Sequence, residues 1–163
     1  MIKNIQEQDD TALAKIIRAA LEEFKANKPG TVYYDETTDH LSRVFMKQGS
    51  AYFTVFLNEN IVGGSGIYPT DNLPHDTCEL VKMYLSPLAR GKGLGRMLMQ
   101  KCLQAATELG YKKVYLETMP ELINAIPMYE KFGFNYLPTS MGNSGHTGCG
   151  LWMIKELEAD TAS

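Results

Sequence analysis

The stretch YLSPLARGKGLGRMLMQ, residues 84–100, decides how this chain is read. It leaves an apolar strand through a proline, passes three glycines set among basic residues, and enters a helix. Gly91, Gly93 and Gly95 let the backbone turn sharply and come close to a ligand. The helix that follows aims its free N–H groups and its positive dipole end at the same place. Arg90, Lys92 and Arg96 add charge. The product is an oxyanion cradle, best matched to phosphate or pyrophosphate. Two nucleotide motifs fail here: GxGxxG meets Arg96 where its third glycine should stand, and no Lys-Ser or Lys-Thr follows a glycine at Walker spacing.

Outward from the cradle, residues 78–85 (CELVKMYL) read as a strand and residues 93–109 as a helix striped by Leu94, Leu98, Cys102, Ala105 and Leu109. Gly110 stops that helix, and residues 113–117 (KVYLE) form the next strand. Strand, helix and strand in this order make a right-handed parallel crossover. Upstream, residues 2–6 are an edge strand. Asp9 or Asp10 caps a helix carrying Leu13, Ile16, Ile17, Ala20, Leu21 and Phe24 at helical spacing, which KPG at 28–30 ends. A second helix is expected over residues 38–47. Residues 51–57 and 61–68 form a hairpin about Asn58, Glu59 and Asn60. Gly63, Gly64 and Gly66 imply a bulge or a close backbone approach in its second strand. Downstream, Thr118 and Glu121 are spaced as a capping box. The helix that follows runs to Phe132, with Pro127 marking a kink or a fresh first turn near Asn124. Strands at 134–137 and 150–155 complete one mixed sheet with helices on both faces.

The bulk numbers narrow the function. A length of 163 residues suits one domain spanning 1–163. With 44% hydrophobic and 21% charged residues, the composition is that of a globular protein, neither disordered nor membrane-embedded. A net charge of −3 argues against a general grip on nucleic acid. No apolar run approaches a membrane span, and MIKNIQEQDD lacks the apolar core of a signal peptide. A cytoplasmic protein with three reduced cysteines is expected.

Arg90, Gly93 and Gly95 fit the pattern Q/R-x-x-G-x-G/A, which here follows KMYLSP. About thirty residues on comes Asn124-Ala-x-x-x-Tyr129-x-x-x-Gly133-Phe134. Together these resemble the GNAT superfamily of acyl-CoA-dependent N-acyltransferases, over residues 78–134. The resemblance implies an α/β fold with a mostly antiparallel sheet of six or seven strands and a central parallel pair that splays. It implies acetyl-CoA as co-substrate, without a metal. The backbone of Gly91, Lys92, Gly93, Leu94, Gly95 and Arg96 would hold the pyrophosphate of CoA, with Arg90 beside it. Met83, Tyr84 and Leu85 would pair with the pantetheine arm. Asn124 would bond that arm or cap its helix. Dimers are common in the family, though nothing in this sequence requires one.

Transfer to an amine needs a base, because a lysine-like amine of pKa ~10.4 is only about one part in a thousand neutral at pH 7. Glu79 is the candidate base. Strand alternation places it with Val81, Met83 and Leu85 on one face, where apolar neighbours raise a carboxyl pKa. Its plainer alternative is a surface ion pair, and water chains serve as the base in many GNAT proteins. Tyr129 is the candidate acid that protonates the leaving thiolate; its alternative is a core aromatic. Tyr33, Tyr34, Asp35 and Glu36 fall where such proteins border the acceptor. Met83 and Met119 would line the acyl tunnel, and Trp152 the sheet core. The pairs His75/Cys78 and His146/Cys149 have ligand chemistry, but cysteines at strand starts are usually small buried hydrophobes. The acceptor stays open: a small amine, an amino acid, an antibiotic, or a protein amine. Two rival readings are a CoA-binding sensor without transfer activity and a sugar- or nucleotide-phosphate binding protein. The first has no use for Glu79 and Tyr129, and the second has no use for the Asn124–Phe134 pattern.

Overall fold

The structure is a computed structural model, described here over residues 1–120, 124–142 and 150–158. Seven strands form one sheet. They are β1 (Ile2–Asn4), β2 (Ala51–Leu57), β3 (Asn60–Tyr68), β4 (Thr77–Leu85), β5 (Lys113–Thr118), β6 (Asn135–Leu137) and β7 (Leu151–Glu156). Their spatial order is β1-β2-β3-β4-β5-β7-β6. Only β4 and β5 run parallel. The β2–β3 hairpin turns through Asn58 at φ 50° and Glu59 at φ 70°, the left-handed pair of a tight primed turn.

Helices cover both faces. On one lie α1 (Asp10–Glu23) and the single turn α2 (Leu41–Val44), on the other α3 (Leu94–Glu108) and α4 (Ile126–Lys131). Each face has its own core. Leu13, Ile17 and Leu21 of α1 meet Leu41, Phe45 and Tyr52. Leu98, Met99 and Cys102 of α3 meet Val55, Ile67, Leu80 and Val114. Pro127 is the second residue of α4, so a fresh first turn, not a kink, accommodates it.

Several boundaries differ from expectation. Helix α1 stops at Glu23, short of KPG, because Lys25 takes a left-handed φ of 56° and Ala26 N–H bonds back to Leu21 O at 2.7 Å. Neither aspartate caps α1 with its side chain. Asp9 accepts from Gln6 N–H at 2.9 Å, and Asp10 accepts from Ser42 N–H at 2.8 Å and Ser42 Oγ at 2.6 Å. In place of the expected helix over 38–47 stand a 3₁₀ segment, Glu36–His40, and the single turn α2. Trp152 is half-buried, outside both cores. The capping partner expected of Thr118, Glu121, lies outside the described residues.

The most consequential difference is in β4. Between Gly64 and Gly66 the β3–β4 register shifts, and the partners on β4 run from Tyr84 to Val81. One extra residue is thus taken up by β4, a β-bulge. Lys82 stands in it at φ 53°. Its carbonyl accepts a hydrogen bond from the buried Tyr52 hydroxyl at 2.9 Å. The bulge resets the alternation of side chains. Val81 and Tyr84 pack on the α1 face, while Met83 and Leu85 pack with Leu80 on the α3 face. Glu79 therefore does not share a face with Met83 and Leu85, as an unbroken strand would have required.

The glycines of β3 make room for this. A Cβ built on Gly63 would lie 2.2 Å from Tyr84 O, and one on Gly64 2.6 Å from the Tyr52 ring. At Gly110 (φ 89°) a Cβ would meet nothing within 4 Å. Gly63→Ala is expected to destabilise by about 3 kcal/mol, the upper end for overpacking. Gly110→Ala should cost only about 1–2 kcal/mol of backbone strain. Urea denaturation of both variants checks the ranking.

Candidate active site

Strands β4 and β5 are paired only at Thr77–Lys113, Cys78–Val114 and Glu79–Tyr115. Beyond that last rung they part. The gap opens into a cleft of about 300 Å³, walled by Met83, Leu85 and Leu116 and closed by Met128 and Tyr129 of α4. Gly91, Gly93, Leu94 and Gly95 form its end, and Asn124 its rim.

The end of the cleft has the properties of an anion site. Gly93, at φ 77°, precedes the first residue of α3, and Gly91 has φ 74°. A Cβ at either glycine would project into open space, so their absence keeps that space for something else. The first N–H groups of a fifteen-residue helix face it without intrahelical partners. Lys92 and Arg96 do not line the cleft. Arg90 lines it, but its guanidinium is engaged: Nε and Nη2 donate to Leu85 O at 3.3 and 3.0 Å, and Nη1 pairs with Glu23 at 2.5 Å. The ring of Phe24 lies 5.1 Å away beneath it. Arg90 thereby ties the end of β4 to α1.

Glu79 sits at the last paired rung, between Tyr68 of β3 and Tyr115 of β5. It is 3% exposed, and Thr70 Oγ1 donates to its Oε1 at 2.6 Å. Burial pushes its carboxyl up from 4.5 to about 7, against the opposing pull of the Thr70 bond. It does not line the cleft itself. It lines a second cavity of about 220 Å³ on the α1–α2 face, with Asp35, Tyr68, Thr70 and Lys82. A narrow crevice of about 50 Å³ also touches Glu79. Leu80, Lys82, Tyr84, Glu117 and Thr118 line both crevice and cleft, so the two spaces adjoin across the splayed strands.

Tyr129 is 7% exposed and lines the cleft, its ring edge-on to Phe134 at 6.1 Å. Burial raises its hydroxyl to about 12, so it keeps its proton at neutral pH. The hydroxyl has no hydrogen-bond partner among the described residues. Met83 lines the cleft, whereas Met119 lines the crevice. Of residues 33–36, Asp35 reaches the second cavity. Tyr33 instead bonds Glu22.

The two described cysteines fit the structural reading. Cys78 and Cys102 are fully buried, and burial raises both thiols to about 12. His75 is exposed on a loop. Among the described residues no cluster could hold a metal; His146 and Cys149 lie outside them. Nor is any described helix long and apolar enough to cross a membrane.

Thr70, Lys82 and Glu117 belong to the site without having been singled out from sequence. Glu117 follows Tyr115 by two residues on β5, which puts it on the face of Glu79, and Tyr115 OH donates to it at 2.6 Å. That neighbour was legible. Thr70 lies in a loop and Lys82 in a bulge, and neither has a periodicity to read.

Comparison with known proteins agrees with this geometry. Residues 13–134 match the acetyltransferase (GNAT) family. The uncharacterized N-acetyltransferase YjgM of Escherichia coli K12 is 38% identical over 159 residues, which span 96% of this chain and 95% of that one. A GNAT-family acetyltransferase structure from Staphylococcus aureus superposes with a TM-score of 0.85 at 18% identity, covering 97% of this chain and 99% of that one. A Salmonella typhimurium protein, yncA, solved with its cofactor acetyl-CoA, superposes at 0.74 and 19% identity, covering 100% and 96%. The splayed strands, the glycine-bounded helix start and these matches together make the chain a member of the GNAT acetyltransferase family, an acyltransferase dependent on acetyl-CoA.

Proposed function

We propose that the chain acetylates a primary amine by direct attack, with donor and acceptor bound together on opposite sides of the fork in the sheet. The observation that carries this reading is the position of Glu79. It is buried at the last paired rung, lining both the second cavity and the crevice that adjoins the cleft.

The donor side suits acetyl-CoA. The N–H groups around Gly91, Gly93 and Gly95 would hold its pyrophosphate, and the free edge of β4 at Met83, Tyr84 and Leu85 its pantetheine arm. Asn124 stands at the rim to bond that arm. The orphaned, buried Thr118 Oγ1 offers a further polar contact in the same wall. When bound, acetyl-CoA supplies an activated acyl group as a thioester.

The protein's own residues then handle protons. Glu79 accepts the proton of the acceptor ammonium, a step that a free amine would need roughly 4–5 kcal/mol to make at pH 7. With a carboxyl near 7 it is matched to that work. Tyr129, fully protonated, donates from its hydroxyl to the departing sulfur. Asp35, in the wall of the same cavity, favours a cationic acceptor.

Calorimetry should show CoA and acetyl-CoA binding and ATP failing to bind; the reverse preference overturns the donor assignment. Tyr129→Phe should lower kcat and leave CoA affinity unchanged. Glu79→Gln should lower kcat/KM by about 10²–10⁴-fold and remove the ionisation near 7 from the pH–rate profile. The same substitution has a stability signature. The carboxyl is raised on folding, so the native state binds more protons than the unfolded one between about 4.5 and 7, and native stability falls as pH rises through that window. Melting curves at pH 5 and 8 should show this fall in the wild type and its loss in Glu79→Gln.

A further inference from the structure

Lys82 is used by none of the steps above, yet it occupies the centre of the site. It lines the cleft, the crevice and the second cavity. Its backbone is held in the left-handed region, at φ 53°, by the bulge and by the Tyr52 hydroxyl on its carbonyl. The side chain is half-buried. Its ammonium makes no ion pair or hydrogen bond with a described residue. The carboxylates of Asp35 and Glu79 act on it through space, but each accepts from a neutral donor: Asp35 from Thr37 N–H at 2.9 Å and Oγ1 at 2.7 Å, Glu79 from Thr70. A partly desolvated ammonium without a contact partner is costly unless a ligand completes it.

The second cavity around it carries both signs. Asp35, Asp71 and Glu79 line it, and so do Lys47 and Lys82. The Lys47 ammonium is placed over the Tyr68 ring at 5.4 Å. Glu79 and Asp35 serve an ammonium group on the acceptor. Two lysines beside these carboxylates give an anion a place in the same wall and favour an amine that brings one with it. At about 220 Å³ the space is below the ~300 Å³ at which drug-sized ligand pockets begin, and it suits a small acceptor.

We infer that the acceptor is an amino acid or similar small amine bearing a carboxylate, and that Lys82 Nζ binds this carboxylate while the amine faces Glu79. Burial lowers the proton affinity of Lys82, and an anion at this place restores it. The inference rests on the second cavity being the acceptor site. Lys82 selects the substrate; Glu79 and Tyr129 act on it.

The test compares standard L-amino acids with their carboxamides as acceptors, by thiol release from acetyl-CoA, in the wild type, Lys82→Met and Lys82→Arg. The wild type should favour the free acids by about tenfold or more, as for a hydrogen bond to a charged group. Lys82→Met should raise KM for the acids by a similar factor, so that their advantage over the carboxamides is lost, without lowering the melting temperature. Lys82→Arg should restore the preference in part. Equal use of acids and carboxamides by the wild type, or an equal loss on both in Lys82→Met, overturns the inference and leaves amine acetylation standing. Binding of the same acids to the CoA-loaded protein is measured alongside by calorimetry. Acids that bind in a Lys82-dependent way without thiol release keep the carboxylate site and overturn the transfer reaction. Neither binding nor release overturns both.

Discussion

The site depends on a mismatch of length between two neighbouring strands. From Val81 to Tyr84, β4 uses one residue more than β3 uses from Gly66 to Gly64. The surplus is absorbed at Lys82, whose carbonyl is gripped by Tyr52. A bulge bends its strand and increases local twist. Here the bend comes just past the last rung shared with β5, where the two parallel strands part. Tyr52 is itself fixed in the α1-side core against Phe45, ring centroids 5.0 Å apart. The glycines of β3 keep side chains out of the place where the bent strand and the Tyr52 ring must lie. Glycine tract, tyrosine and bulge act as one unit, and none of them has a full function without the others.

The fork divides the labour between two electrostatic environments. The glycine end of the cleft has helix N–H groups and left-handed glycines. The far side has titratable side chains, with Glu79 at the boundary. Its burial has a cost in stability, which the Thr70 bond moderates. Tyr129 pays no comparable penalty, because it stays neutral at working pH. Arg90, the most prominent base of the glycine corner, serves the frame: it joins the last carbonyl of β4 to Glu23 of α1.

Much of the fold was legible from local pattern. The hairpin, the crossover and the Gly110 helix stop stand where periodicity and turn residues put them, because these features are set within a few residues of themselves. The glycine corner was legible for the same reason. The face of Glu79 was not. Alternation along CELVKMYL is continuous, and the residue that breaks it is a lysine, with no mark of a bulge. The signal was on the partner strand, in Gly63, Gly64 and Gly66, which required a close approach without naming the strand that makes it. The tie between Arg90 and Glu23 crosses 67 positions of sequence, and Thr70 meets Glu79 only through the sheet. Such contacts belong to the tertiary fold.

Trp152, the single tryptophan, stands directly across from Glu117 in the β5–β7 ladder. Glu117 lines both cleft and crevice. The indole is half-buried, and no second fluorophore of its kind competes with it. Indole emission follows the polarity of its surroundings, so the chain carries an optical reporter one strand behind its own cleft. A ligand that changes the surroundings of the indole through the Glu117 wall can be followed in solution without a label.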